Sequence, residues 1–278
     1  MEKVGVTYHP KSDAARRVAE EIRARLLPRV HEVWIASAWD DESRGEHVPG
    51  TELLFCCGGD GTVLRAARAV IPHEVPLVGV NLGRVGFLTE TAPADLFEHL
   101  DAILAGEGRV ETRAMVETET VRGGEELREH FHALNDVVVG RAAIGRTVQF
   151  SVRTDGTTIG NYRADGVIVA TATGSTAYSL SVGGPILHPE SREIIVTPVA
   201  PHLAPDNSVI LPEGSHVEVE IASGQRAILS IDGEPDLDLA GGDVVRVRTS
   251  PHAARFLRLG PRGEFFERVG RRLNWLHE

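Results

Sequence analysis

Five consecutive residues in this sequence suit work at a phosphate. Gly58-Gly59-Asp60-Gly61-Thr62 follows an apolar run, Leu53 to Cys57, and precedes a helical pattern through Val63, Leu64, Ala67 and Val70. Glycines between a strand and a helix let backbone N–H groups approach a phosphate closely, and the helix N-terminus adds partial positive charge. An aspartate inside such a turn would repel phosphate if anion binding were its whole task. Asp60 is explained if its carboxylate accepts a proton from an attacking hydroxyl, or helps hold a divalent cation. The alternative is a tight turn in which Asp60 caps the helix.

A second segment, 166–187, carries no charged residue. Its length raises the question of a membrane span, but Gly166, Gly174, Gly183, Gly184 and repeated Ser and Thr break that reading. Small residues and hydroxyls can instead hydrogen-bond a base edge or an amide at close backbone range. A glycine-rich connection between sandwich strands is the other reading. Tyr178 is the aromatic ring in this narrow stretch, able to present a flat face to a base or to sit in a core with its hydroxyl at the surface. Asn135-Asp136 precedes Val137-Val138-Val139, where a carboxylate could accept both hydroxyls of a ribose, or simply cap a strand. Asp165-Gly166 and Asp232-Gly233 are acidic turns that could also be plain hairpins. Arg84, between glycines, is either a phosphate contact or a solvated loop arginine.

The elements that must position these residues change character along the chain. Up to about 105, short apolar runs at Val4–Tyr8, Val33–Ala36, Leu53–Cys57 and Leu77–Val80 alternate with helical periodicity. The first helix shows Ala15, Val18, Ala19, Ile22 and Leu26 on one face, with Ser12 or Asp13 as cap. Residues 94–104 also read as helical. Strands apolar on both faces, alternating with helices, predict a parallel sheet covered on both sides. Beyond Gly106-Glu107-Gly108 the period becomes two, with a hairpin at Asp155-Gly156 and short strands at 134–139, 147–153, 167–171, 193–197, 208–211, 216–221, 227–231 and 243–248. This predicts a sandwich-type β domain. The end, Phe265 to Trp275, reads as a short amphipathic helix. The expected layout is an α/β domain over 1–105, with 256–278 packing back on it, and a β-rich domain over 106–255.

Composition narrows the function classes. The chain has 278 residues, 42% hydrophobic and 25% charged, the mix of a folded globular protein. Net charge −11 and pI ≈ 5.6 argue against holding nucleic acid by bulk charge. Lys3 and Lys11 are the only lysines among 29 basic residues, and neither has the neighbourhood of a P-loop lysine or of the internal strand lysine of protein kinases. The adjacent Cys56 and Cys57 read as small buried hydrophobes. Together with a start that does not read as a secretory signal, they suggest a reducing, cytoplasmic setting.

The pentapeptide 58–62 resembles a motif shared by NAD kinases, diacylglycerol and sphingosine kinases and, more distantly, phosphofructokinases. Asn81-Leu82-Gly83-Arg84-Val85-Gly86-Phe87-Leu88-Thr89 and the run from Ala170 to Ile186, with Asn135-Asp136 between them, are similar to the signatures of the NAD kinase family in particular, over nearly the whole chain. The resemblance implies an α/β plus all-β fold: an N-terminal Rossmann-like domain, a β-sandwich-type domain, and a C-terminal helix returning to the first. It implies ATP as phosphoryl donor, Mg²⁺ or another divalent cation as cofactor, and the 2′-hydroxyl of the adenosine ribose of NAD as acceptor, giving NADP. Asp60 would be the catalytic base. Gly58, Gly59, Asp60, Gly61, Thr62 and Arg84 would serve the donor phosphates. NAD would meet Asp60, Gly61, Phe87, Asn135, Asp136, Asp165, Thr173, Thr176, Ala177, Tyr178, Ser181 and Asp232. A homodimer or homotetramer is implied, with no nucleic-acid or membrane partner. The sequence departs from the family pattern at Asp136, Ala172 and Val85, where glutamate, proline and leucine are commoner. A lipid kinase of the diacylglycerol type and a non-catalytic NADP-sensing module are the rival readings.

Overall fold

The runs that are apolar on both faces form a parallel sheet. In a computed structural model, described here for residues 1–83, 86–89, 91–143, 145–203, 205–273 and 275, without the side chains of 128–130, 235 and 236, the chain divides into two compact units. The first is Met1–Thr112 with Ala254–Glu278, the second Arg113–Ala253.

In the first unit β1 (Lys3–Tyr8), α1 (Asp13–Leu26), β2 (Glu32–Ser37), α2 (Asp41–His47), β3 (Leu53–Cys57), α3 (Asp60–Ala69) and β4 (Leu77–Val80) follow one another, then the short helices α4 (Pro93–Glu98) and α5 (Leu100–Leu104). The sheet order is β2-β1-β3-β4, all parallel. Ser12, not Asp13, caps α1, accepting from the Ala15 N–H at 3.2 Å. Ala15, Ala19, Ile22 and Leu26 are fully buried against Val4, Val6, Leu53 and Phe55. Gly5 lets the strands close up: a Cβ there would run into the ring of Trp34. Helix α2 has no counterpart in the sequence reading because DESRGEH shows no apolar face; its buried residue is Arg44.

Strand order reverses between β1 and β3, and the Gly58–Thr62 turn emerges from the C-terminal end of β3 there, beside His9, whose N–H donates to the Cys57 carbonyl at 3.1 Å. Ligands of open parallel sheets bind at such a switch point.

The second unit takes in β5 (Arg109–Arg122) from Arg113 onward, β6 (Glu125–Ala133), β7 (Asp136–Arg141), β8 (Val148–Thr154), β9 (Thr157–Ala164), β10 (Gly166–Ala170), the short helix α6 (Tyr178–Ser181), β11 (Ile194–Val199), β12 (Val209–Leu211), β13 (Val217–Ile221), β14 (Arg226–Ile231), β15 (Glu234–Ala240) and β16 (Val244–Arg258) as far as Ala253. An antiparallel sheet β12-β11-β10-β7-β14-β15 faces strands that include β16-β13-β8-β9. Val139, Val167, Val169 and Leu229 from one side meet Phe150, Val152, Val219 and Val245 from the other in a single core. Strands β5, β6 and β15 were not legible because EELREHFHA and EPDLDLA are too polar to alternate visibly. After β16 the chain ends in α7 (Glu264–Arg272), which belongs to the first unit and buries Phe265 and Val269.

Candidate functional site

Asp60 is the first residue of α3, but its side chain does not cap its own helix. Its Oδ2 accepts from the Phe87 N–H at 2.9 Å; its Oδ1 accepts from the N–H groups of Leu88 and Thr89 at 3.0 and 3.2 Å, and from the Thr89 hydroxyl at 3.3 Å. The Asx-cap alternative for this turn is thereby excluded. Gly86 makes the approach possible, since a Cβ there would collide with Asp60 Oδ1. Gly58 likewise leaves room for the buried Thr62 side chain, whereas Gly59 and Gly61 face open space. The Thr62 N–H donates to the Gly59 carbonyl at 2.9 Å and the Gly58 N–H to the Val80 carbonyl at 3.1 Å, so among the described residues the N–H groups of Gly59, Asp60 and Gly61 are the ones left to receive an anion. Arg84 and Val85 lie outside the described residues. The thiols of Cys56 and Cys57 are fully buried beneath the turn, and burial drives both well above the ordinary thiol range.

In the second unit, the acidic turn at Asp232 is a structural clamp. Its carboxylate accepts from the N–H groups of Leu134, Asn135 and Asp136 at 3.1, 2.7 and 3.3 Å, and its own N–H donates to the Asp136 carbonyl. Asp232 adopts φ +50°, a conformation aspartate tolerates better than most residues. The uncharged segment locks onto the same backbone: Thr171 Oγ1 donates to the Leu134 carbonyl at 2.6 Å and accepts from the Gly174 N–H at 3.1 Å. Gly174 packs so closely that a Cβ would collide with the Asn135 carbonyl. This clamp opens on a recess of about 380 Å³ lined by Asn135, Asp136, Val138, Ala177, Tyr178, Ser230, Asp232 and Gly233.

Five of the residues expected at NAD, namely Asn135, Asp136, Ala177, Tyr178 and Asp232, are therefore brought together. Tyr178 is 45% exposed, so it is not a core residue. Thr173 is buried, and its Oγ1 has no hydrogen-bond partner among the described residues. Thr176 donates to the Thr173 carbonyl, and Ser181 is exposed one turn further on. Gly61 and Phe87 belong with Asp60 in the first unit. Asp165 is set apart: it lies beside Arg141 at 3.3 Å, at the far end of β10 from Ala170, the partner of Asp136. About 17 Å of strand separates those ends. Val138, Ser230 and Gly233 were missed. Ser230 sits opposite Val138 in the β14–β7 ladder, and no motif in the sequence singles it out.

Asp136 is 4% exposed, and burial, followed by the charge of Asp232, raises its carboxyl from 3.8 to about 7. Unfolded, this group ionises near 4. Between about pH 4 and 7 the folded state therefore holds the extra proton, and stability falls as pH rises, with the full cost present above 7. Asp136→Asn, which keeps the shape without the charge, is expected to melt several degrees above the wild type at pH 8. That gain should fade by pH 5, and thermal melts across the range check it.

Among the described residues no three Asp, Glu, His or Cys side chains stand together as a metal cage. Asp60 is the one carboxylate of the glycine turn, and its Oδ1 is filled by Leu88 and Thr89, which leaves room on Oδ2 alone. One carboxylate oxygen is too few for a cation held by the described protein residues alone, and a divalent cation there would need ligands from a substrate.

Comparison with known proteins identifies the family. The family model described as the ATP-NAD kinase N-terminal domain matches residues 3–108, and the C-terminal domain model matches 134–259. The chain is 39% identical to the NAD kinase of Dehalococcoides mccartyi strain CBDB1 over 276 residues, covering 99% of this chain and 97% of that one. It is 38% identical to the NAD kinase of Chloroflexus aurantiacus strain J-10-fl, covering 98% and 99%. Among solved structures, an NAD kinase from Archaeoglobus fulgidus in complex with ATP superposes with TM-score 0.76 at 27% identity, covering 97% and 98%. Yeast NADH kinase complexed with NADH shares the fold at TM-score 0.89 and 24% identity, covering 100% and 89%. With both domain models matched in order and relatives aligned end to end, the chain belongs to the ATP-NAD kinase family.

Proposed function

We infer that this chain is an NAD kinase, moving the γ-phosphoryl group of ATP to the 2′-hydroxyl of the adenosine ribose of NAD. The observation that carries the reading is Asp60, a carboxylate fixed at the mouth of an N–H-rich turn at the switch point of a parallel sheet. Among the described residues its Oδ2 accepts one hydrogen bond, so a lone pair remains for a substrate proton. As the hydroxyl proton passes to Asp60, the O2′–Pγ bond forms, the bond from Pγ to the bridging oxygen breaks, and ADP leaves. Backbone N–H groups of Gly59, Asp60 and Gly61 face the donor phosphates and balance the growing charge, while Gly58 and Thr62, whose N–H groups are used within the fold, shape the turn. Arg84 is assigned to the same phosphates by resemblance. The divalent cation, Mg²⁺, would come with the donor, on the phosphates of ATP, where magnesium is ordinarily held.

NAD occupies the recess in the second unit. Asp136 meets the ribose, Tyr178 presents its ring to a base, and Thr173 and Thr176 offer hydroxyls; Asp165 and Ser181 stay in the site on the resemblance alone. Tyr178→Ala is expected to weaken NAD binding by about 1–3 kcal/mol, the loss typical of a base deprived of an aromatic partner. Tyr178→Phe should change little, and calorimetric titration with NAD distinguishes the two. The buried adjacent thiols suit a reducing compartment, so the reading places the enzyme in the cytoplasm, and no described helix is long and apolar enough to cross a membrane. It acts as a homodimer or homotetramer, which light scattering checks. Incubation with ATP, Mg²⁺ and NAD followed by an NADP-specific assay tests the activity; failure to form NADP overturns it.

A further inference from the structure

A base aimed by a loop is only as well placed as the loop, and residues 87–89 aim Asp60. The Leu88 carbonyl in turn accepts from Arg258 Nη1 at 3.2 Å. Arg258 is tied through Nε and Nη2 to Glu111 Oε1, each at 3.4 Å, and its guanidinium lies 4.6 Å over the ring of Phe256. The Arg258 and Glu111 side chains are 2% and 5% exposed. On the other side of the same carbonyl runs Gly79, where a Cβ would stand 2.6 Å from Leu88 O.

Stability does not explain this pair. Stripping water from two charges is expensive, and hydrogen bonds of 3.4 Å return little; apolar replacements of buried pairs are often neutral or stabilising. What the pair supplies is direction. A planar guanidinium fixed by a carboxylate and an aromatic ring holds one donor on one carbonyl. The peptide unit that follows that carbonyl carries the Thr89 N–H, and the residue itself carries the Leu88 N–H, both donors to Asp60.

We propose that Arg258, locked by Glu111, is a positioning residue for phosphoryl transfer, holding the Leu88 carbonyl and through it the N–H groups that aim Asp60. The proposal rests on the reading of Asp60 as the base. Its test combines kinetics with amide exchange, so the two can fail separately. Arg258→Gln with Glu111→Gln removes both charges of the pair together, and an amide oxygen at position 111 can still accept from Arg109 Nη2, which the carboxylate holds at 3.0 Å; the double change is expected to lower kcat about tenfold or more while the KM for ATP stays put. In an Asp60→Asn background the same pair should lower kcat no further, since effects that run through one group do not add. Amide exchange at Phe87, Leu88 and Thr89 should speed up at least tenfold. Arg258→Lys, with a charged donor still facing Glu111, should recover part of kcat. Unchanged exchange, or an equal loss of kcat with and without Asp60, overturns the proposal. A wild-type chain that forms no NADP sinks the phosphoryl-transfer reading instead, and exchange still decides whether Arg258 holds the loop.

Discussion

Asp60→Asn is expected to lower kcat by roughly 10²- to 10⁴-fold, the usual cost of losing a general base. The structure adds a second consequence. Asp60 gathers the N–H groups of Phe87, Leu88 and Thr89. An asparagine keeps one acceptor oxygen but turns an NH₂ toward a donor, so the 86–89 loop should loosen as well. Amide exchange at those three residues should therefore accelerate alongside the kinetic defect. ATP affinity should be largely retained, because the donor phosphates are assigned to backbone groups of the turn. A kcat within a few-fold of wild type would reduce Asp60 to a loop anchor.

That dual use marks the limit of what the sequence discloses. Gly58 to Thr62 was legible as a strand-to-helix turn because its glycines stand between an apolar run and a helical pattern. The partners of Asp60 lie 27 to 29 residues away, joined by backbone N–H groups that any residue type supplies, so nothing in the side-chain pattern announces them. The same holds for Asp232, whose three partners are 96 to 98 residues upstream. As a two-residue motif, Asp232-Gly233 looks like any hairpin turn. Its bonds to the chain just before β7 appear only after β7 and β14 have paired. The alternating strands were readable where one face is apolar, as at 217–221. They were not where polar residues fall on both faces, as in β5, whose Glu111, Arg113 and Glu117 are buried all the same.

Asp232→Ala should be the most damaging change to the second unit. It removes the acceptor for three N–H groups and puts alanine at φ +50°. Buried donors left without partners cost about 1–3 kcal/mol each, not fully additively, so a loss of about 3 kcal/mol or more is expected. For a unit of this size that lowers the melting temperature by roughly 10 °C. NAD affinity should fall with it, because Asn135 and Asp136 lose the clamp that holds their backbone in the recess. Asp232→Asn keeps an acceptor oxygen and tolerates the backbone conformation, so it should be clearly milder. Equal melting curves for wild type and Asp232→Ala would remove the clamp from the account.

The central claim is transfer to one particular hydroxyl, and phosphorus NMR of the reaction with ATP, Mg²⁺ and NAD tests it directly. The account predicts ADP and a new phosphomonoester on the adenosine ribose of the dinucleotide, coupled to the 2′ proton. An NAD analogue lacking that 2′-hydroxyl should give no such signal. A phosphomonoester on the nicotinamide ribose, product formed from the 2′-deoxy analogue, or ATP hydrolysis without any phosphorylated dinucleotide would contradict it.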